Sequence, residues 1–227
     1  EEGAERRLRE RMAQRASARS LLAASVIPTH DGPFMDVLIS DEYSVAIADM
    51  KDRGIINGYD DGTFQSKRTV SRAEILKMLL DSIGFSPIGM EFSACFQDVF
   101  NQWFAPYACV SKRKGWVKGY DDNTFRPAQA VTRAEGVTLS ARILEPEIGD
   151  AEVPSYLDVP TNIWFYPPIE KMASNDLLPF EEAYFHPLRG MQRGETAEML
   201  SRSIALHEEQ EDEKGQEKPS GAKRSLH

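Results

Sequence analysis

Long apolar runs are missing from this 227-residue chain. No stretch reaches the roughly 18 consecutive apolar residues that a membrane-crossing helix needs, and no leader with an apolar centre and a small-residue cleavage site is visible. The chain opens Glu1-Glu2-Gly3, without an initiator methionine, and reads as a mature form or a fragment. Cysteine is scarce, with Cys95 and Cys109 alone. Two thiols are too few for a metal site, and His30, His186, His207 and His227 are scattered, so no metal centre is expected. A disulfide would suit an exported protein, stapling the segment before the nearby helix to that helix; two unpaired buried thiols fit the sequence as well. Positive charge is in deficit, with 27 Lys and Arg against 36 Asp and Glu and a net charge of −9. That balance excludes the basic footprint of a nucleic-acid binder, so any anionic ligand must be held by local cations. Nucleophile motifs, phosphate loops and metal clusters are absent too, so no enzymatic chemistry and no cofactor are expected. Carboxylate pairs are too common in an acidic chain to indicate glycoside hydrolysis.

What the chain does contain is repetition. With 41% hydrophobic and 28% charged residues it has an ordinary globular composition, and three blocks recur in one order with a period of about 60 residues. The first set is Phe34-Met35-Asp36-Val37, then Gly54 to Phe64 with Gly58-Tyr59-Asp60-Asp61-Gly62-Thr63-Phe64, then Val70-Ser71-Arg72-Ala73-Glu74. The second is Phe96-Gln97-Asp98-Val99, then Gly115 to Phe125 with Gly119-Tyr120-Asp121-Asp122-Asn123-Thr124-Phe125, then Val131-Thr132-Arg133-Ala134-Glu135. The third is worn: Tyr156-Leu157-Asp158-Val159, then Asp176 to Phe185 without glycine, then Met191-Gln192-Arg193-Gly194-Glu195.

Each set reads as helix, loop, helix. Tyr43, Ile47 and Met50, and likewise Phe165, Ile169 and Met172, line one face of a first helix; Phe104, Ala108 and Ser111 make a weaker face. Gly54 and Gly115 stop that helix, with Lys51, Arg53, Lys112 and Lys114 well placed in its last turn. Gly62 and Asn123 share a position that calls for positive φ; Ala183 stands there in the third set, whose loop is one residue short, so a different backbone is expected. Ser71 with Glu74, and Thr132 with Glu135, match the capping box of a second helix. One such helix pair cannot bury its own apolar face, whereas three together can. The expectation is a mainly α domain in which three helix-loop-helix repeats, 31–90, 91–150 and 151–207, share a helical core, and no repeat folds alone. Residues 1–30 read as a basic helical linker and 208–227 as a disordered charged tail.

These blocks resemble the surface-layer homology family, whose pattern is an aromatic-x-Asp-Val start, a Trp opening the first helix, a Gly-Tyr-x-Asp-Gly-Thr-Phe loop and a Thr-Arg-Ala-Glu helix start. The likeness covers residues 34 to about 205. Trp103 and Trp164 occupy the Trp position, while Glu42 stands there in the first set. The resemblance implies a pseudo-threefold, three-lobed domain on the bacterial cell surface. It also implies a non-catalytic role: anchoring to an acidic, pyruvylated secondary cell-wall polysaccharide in grooves between repeats, with the motif Arg on the sugar and the Trp nearby. Arg72, Arg133, Arg193, Trp103 and Trp164 are therefore the candidate carbohydrate-binding residues.

Elementary chemistry points the same way. An Arg in the first turn of a helix, beside free N–H groups and the positive dipole end, offers a planar fork to a carboxylate, and sugars stack on indole faces. The groove using Arg133 is expected to be the strongest, because the second set alone keeps every motif, and Arg133→Ala is expected to leave the fold intact. The rival readings are arginines that face solvent, tryptophans that fill the core, and a module that assembles with other surface-layer proteins after losing its glycan sites. Asp36, Asp98 and Asp158 read as backbone staples, and the Asp60-Asp61-Gly62 and Asp121-Asp122-Asn123 loops as turns that lack calcium-site spacing.

Overall fold

The structure is a computed structural model and describes residues 32–87, 92, 94–146, 154–180 and 182–216. The linker expected at 1–30 lies outside the described residues, as does 217–227. The fold is mainly helical: α1 (Ser44–Asp52), α2 (Arg72–Ser82), α3 (Ala105–Arg113), α4 (Arg133–Leu144), α5 (Tyr166–Ser174) and α6 (Arg193–Gln216).

The local signals act as their chemistry requires. In both capping boxes the cap hydroxyl accepts the N–H of the Glu three residues on, and the Glu carboxylate accepts the N–H of Ser71 (2.8 Å) or Thr132 (2.9 Å). Gln192 replaces the hydroxyl residue at α6, and half the box survives, with Glu195 accepting the Gln192 N–H at 2.8 Å. Helix stops fall at Gly54 (φ +72°) and Gly115 (φ +75°). Asp176 (φ +55°) takes that left-handed role in the third segment without a glycine. Gly58 and Gly119 are demanded by space: a Cβ there would collide with the rings of Phe34 and Phe96. Gly62 and Asn123 both have positive φ and Ala183 does not, so the third loop follows the different backbone its sequence implied.

The lead-in aspartates tie each loop down. Asp36 accepts the N–H groups of Phe64 (2.7 Å) and Gln65 (2.8 Å), Asp98 those of Phe125 (2.7 Å) and Arg126 (2.8 Å), and Asp158 those of Phe185 (2.6 Å) and His186 (2.8 Å). Phe64, Phe125 and Phe185 are thereby held fully inside the core. A disulfide joins Cys95 in the lead-in segment to Cys109 in α3, with Cα atoms 5.4 Å apart. Lys112, from the last turn of α3, also donates to the Cys95 carbonyl and covers the Phe96 ring.

Helix partners come from neighbouring segments. α1 packs on α6, α3 on α2, and α5 on α4, while α2 also meets α4 and α6. So the pair within one segment is not the packing unit; each first helix lies against the second helix of another segment. The segments are also joined by backbone. The Val70 N–H donates to the Met191 carbonyl (2.8 Å), Val131 to Val70 (3.1 Å) and Met191 to Val131 (2.9 Å), a closed ring of three bonds.

One expectation is corrected at the C-terminal end. Residues 208–216 continue α6 where composition suggested disorder. An established helix adds a hydrogen bond for each further residue, and Arg53, the residue after α1, pairs with Glu208 at 2.8 Å where the extension begins.

The aspartate staples can be tested singly. Asp98→Ala leaves two N–H groups without an acceptor and is expected to lower unfolding free energy by about 1–3 kcal/mol in urea titration. Asp98→Asn, which keeps one acceptor oxygen, is expected to lose less. Equal loss in the two variants would refute the staple.

Candidate functional site

The three helix starts place their arginines alike. Arg72 donates from Nε to the Phe125 carbonyl, Arg133 from Nη1 to the Phe185 carbonyl, and Arg193 from Nε to the Phe64 carbonyl, each at 2.9 Å. Each guanidinium also covers an aromatic ring of the segment it reaches: Tyr120 at 5.1 Å for Arg72, Phe180 at 4.0 Å for Arg133, and Tyr59 at 4.8 Å for Arg193.

The first two N–H groups of each helix start are already engaged. Those of Arg72 and Ala73 donate to the carbonyls of Gln129 and Pro127, those of Arg133 and Ala134 to Arg189 and Pro187, and those of Arg193 and Gly194 to Arg68 and Ser66. The third amide of α2 and of α4 goes to the cap hydroxyl. Ligand recognition at these positions is thus a side-chain matter.

There the three arginines differ. Arg133 is 4% exposed and forms an ion pair with Glu195, itself 1% exposed, at 2.6 Å. Arg193 is equally buried, paired with Glu74 at 3.0 Å and donating to the Asn57 carbonyl at 3.2 Å. Arg72 is half-buried and, among the described residues, has no ion pair within 4.0 Å. Its second fork is open. The expectation that Arg133 heads the strongest groove is therefore corrected: its charge is spent inside the protein, where a low dielectric makes pairing obligatory.

The tryptophans stand at the surface, 57% exposed for Trp103 and 60% for Trp164, each edge-on to the following Phe. Because α3 packs on α2 and α5 on α4, each Trp faces the segment before its own. One groove of about 240 Å³ combines Arg72, Trp116, Lys118, Tyr120, Arg142 and Trp164. Its counterpart of about 140 Å³ combines Asn57, Tyr59, Glu74, Lys77, Trp103 and Arg193. The larger carries three cations. Among the described residues Arg142 donates only to the Trp116 carbonyl, at 3.3 Å, and Glu135, on the same wall, is engaged at the Thr132 cap. In the smaller groove Glu74 neutralises Arg193 and Asp81 neutralises Lys77 at 2.5 Å. At the third position Glu42 replaces the Trp, and Arg133 is covered by Phe180.

Lys118 and Arg142 are functional candidates that motif reading passes over. They stand where the first set has Asn57 and Asp81, and a position-by-position comparison of charge between the sets reveals them. Among the described residues no group of three His, Cys, Asp or Glu could hold a metal ion, and Asp61 and Asp122 are turned inward on Thr63 and Thr124, at 2.6 Å to each hydroxyl.

The recurring staples, caps and helix starts define a repeat domain. Residues 33–76 and 96–135 match the S-layer homology domain. The chain is similar to a cellulosome-anchoring protein of Acetivibrio thermocellus, 33% identical over 136 residues, 59% of this chain and 30% of the relative. A surface layer protein of Brevibacillus choshinensis is 33% identical over 100 residues, 42% of this chain and 9% of the relative. A middle cell wall protein of Brevibacillus brevis is 30% identical over 131 residues, 56% and 12% respectively. The matches thus span less than a third of each of these relatives' length.

Two outcomes follow from the buried charges. Arg133→Ala, which strands Glu195 in the core, is expected to cost about 3–5 kcal/mol of stability, and adding Glu195→Gln should restore part of it in a double-mutant cycle. An unchanged denaturation midpoint for Arg133→Ala would contradict the pairing. Glu74 supplies a pH signature. Burial pulls its carboxyl upward, but hydrogen bonds from Ser71 and Tyr59 and the Arg193 charge outweigh this and hold it below the ordinary value. A depressed folded value adds stability in full above the unfolded value of about 4.3, lost as pH falls through the folded one. Glu74→Gln is expected to lower stability at pH 7 and to flatten its decline below about pH 5; an unchanged acid profile would argue against it.

Proposed function

We propose that the chain is a non-catalytic module that holds its protein on the bacterial cell surface by binding an acidic, pyruvylated secondary cell-wall polysaccharide in the groove of Arg72 and Trp164. The carrying observation is that this groove gathers Arg72, Lys118 and Arg142 beside an exposed indole while its counterpart is internally neutralised. Arg72 is already fixed by Nε to Phe125, so a sugar carboxylate meets the two Nη groups of a pre-oriented fork. Lys118 and Arg142 keep the local potential positive despite the net charge of −9. Surface and anchoring roles named for the relatives support the cellular setting. In the same reading 31–90, 91–150 and 151–207 are three repeats, the third degenerate, and Trp103 with Arg193 forms a weaker second groove. Arg133 serves the fold and not the ligand.

The test is co-sedimentation and calorimetry with purified wall polysaccharide, before and after removal of its acidic groups. Arg72→Ala is expected to lose about 1.5–3 kcal/mol, roughly ten- to hundredfold in affinity, with only a small fall in thermal midpoint from the lost Phe125 contact. Arg72→Lys should recover little, because an ammonium is a point charge without the fork. Binding by Arg72→Ala equal to the parent's would sink this reading in favour of assembly with other surface-layer proteins.

A further inference from the structure

Trp164, Thr138 and Arg142 line a second cavity as well as the groove. It lies between α4 and the start of α5, has a volume of about 540 Å³, and adds Tyr166, Pro168 and Lys171 to those shared residues. From the geometry we infer that it is an outer subsite, and that it takes the next sugars of the same anionic polysaccharide where the chain runs on past Trp164. This inference rests on the glycan reading of the Arg72 groove.

Four observations carry it. The first is continuity, since three residues belong to both spaces. The second is size. The Arg72 groove, at about 240 Å³, falls below the ~300–1,000 Å³ usual for a site that holds a drug-sized ligand, whereas the outer cavity lies within that range. A chain seated only in the first would be gripped by about one ring.

The third observation is charge. Lys171 projects from the last turn of α5 and, among the described residues, has no ion pair. The one acid on that wall, Glu170, has both oxygens occupied, by the Ser155 N–H and the Ser155 hydroxyl at 2.8 Å each. Arg142 and Lys171 continue onto a further surface hollow where they and Lys114 outnumber one acid, Glu145, so cations predominate along the path from Arg72 outward. The fourth is the Thr138 hydroxyl. Thr138 is 5% exposed, lines both spaces, and among the described residues its Oγ1 has no hydrogen-bond partner. A buried hydroxyl left unpaired is a cost, and because this oxygen is sealed as it stands, a turn of the Thr138 side chain toward the cavity is what would bring it to a sugar hydroxyl. The wall is also rigid: Pro167 and Pro168 fix the first turn of α5, holding Tyr166 beside Trp164.

The experiment is calorimetric titration of the full chain with wall-polysaccharide fragments sorted into disaccharides, tetrasaccharides and hexasaccharides. The parent is expected to bind hexasaccharides at least about tenfold more tightly than disaccharides. Lys171→Gln keeps the aliphatic stem and removes the charge; it should leave disaccharide affinity unchanged and remove most of the gain with length. Lys171→Glu should remove all of it. Length-independent binding by the parent, or a Lys171→Gln profile that matches the parent's or falls equally at every length, would overturn the subsite. Arg72→Ala serves as the separate arm. If it weakens every fragment while Lys171→Gln weakens none, only the outer subsite fails. If it weakens none, the glycan reading itself fails.

Discussion

Three amides at the centre of the molecule each donate to one neighbour and share a residue that accepts from another: Val70 to Met191, Met191 to Val131, Val131 to Val70. Their side chains are 0%, 0% and 2% exposed, so no water competes for these groups. A buried N–H without an acceptor is expensive, and each acceptor here lies about 60 or 120 residues away in the chain. The ring is therefore satisfied only when all three segments are present together. The residues after it inherit that order: the first two amides of α2, α4 and α6 end on carbonyls of another segment, and so do the arginine side chains. Helix starts that would otherwise hold four open donors are used up in assembly.

One frame thus holds the same guanidinium in three places, and its fate is decided by the neighbouring acid. Where Glu195 and Glu74 reach across, the charge is cancelled within the core and seals an interface. At Arg72, where no acid among the described residues comes within pairing distance, the same placement leaves a fixed cation lining an open groove. The exposed indoles fall on both sides of this difference: Trp164 lines the groove of Arg72, and Trp103 the groove of an arginine already neutralised.

Much of this frame was legible in the sequence because it is local. Capping boxes, glycine stops and the aspartate staples depend on residues a few positions apart or on motifs that repeat with one offset. Even the third loop announced its altered backbone through Ala183 and the missing glycines. What could not be read was pairing over long separations. Arg133 and Glu195 each looked like a helix-start residue, and only their meeting across segments shows that the first is structural. The swapped helix partners were hidden for the same reason, since amphipathic spacing says which face is buried and not against what. The C-terminal extension of α6 escaped a composition argument because the residue that pairs with its start, Arg53, lies far away in the chain, just after α1.

The two kinds of interface also bear on why one groove stays open. A buried ion pair gains little net stability over an apolar contact, yet losing one partner is severe, so Arg133 and Arg193 are committed once the chain folds. The interface at Arg72 dispenses with such a pair. It keeps the carbonyl contact to Phe125 and the α2–α3 and α2–α4 packing. A carbonyl contact and apolar packing stand there where charge pairing is added elsewhere. Freed from sealing the fold, Arg72 can hold its unpaired fork in a fixed orientation, which is the condition for recognising an anion without first reorganising the site.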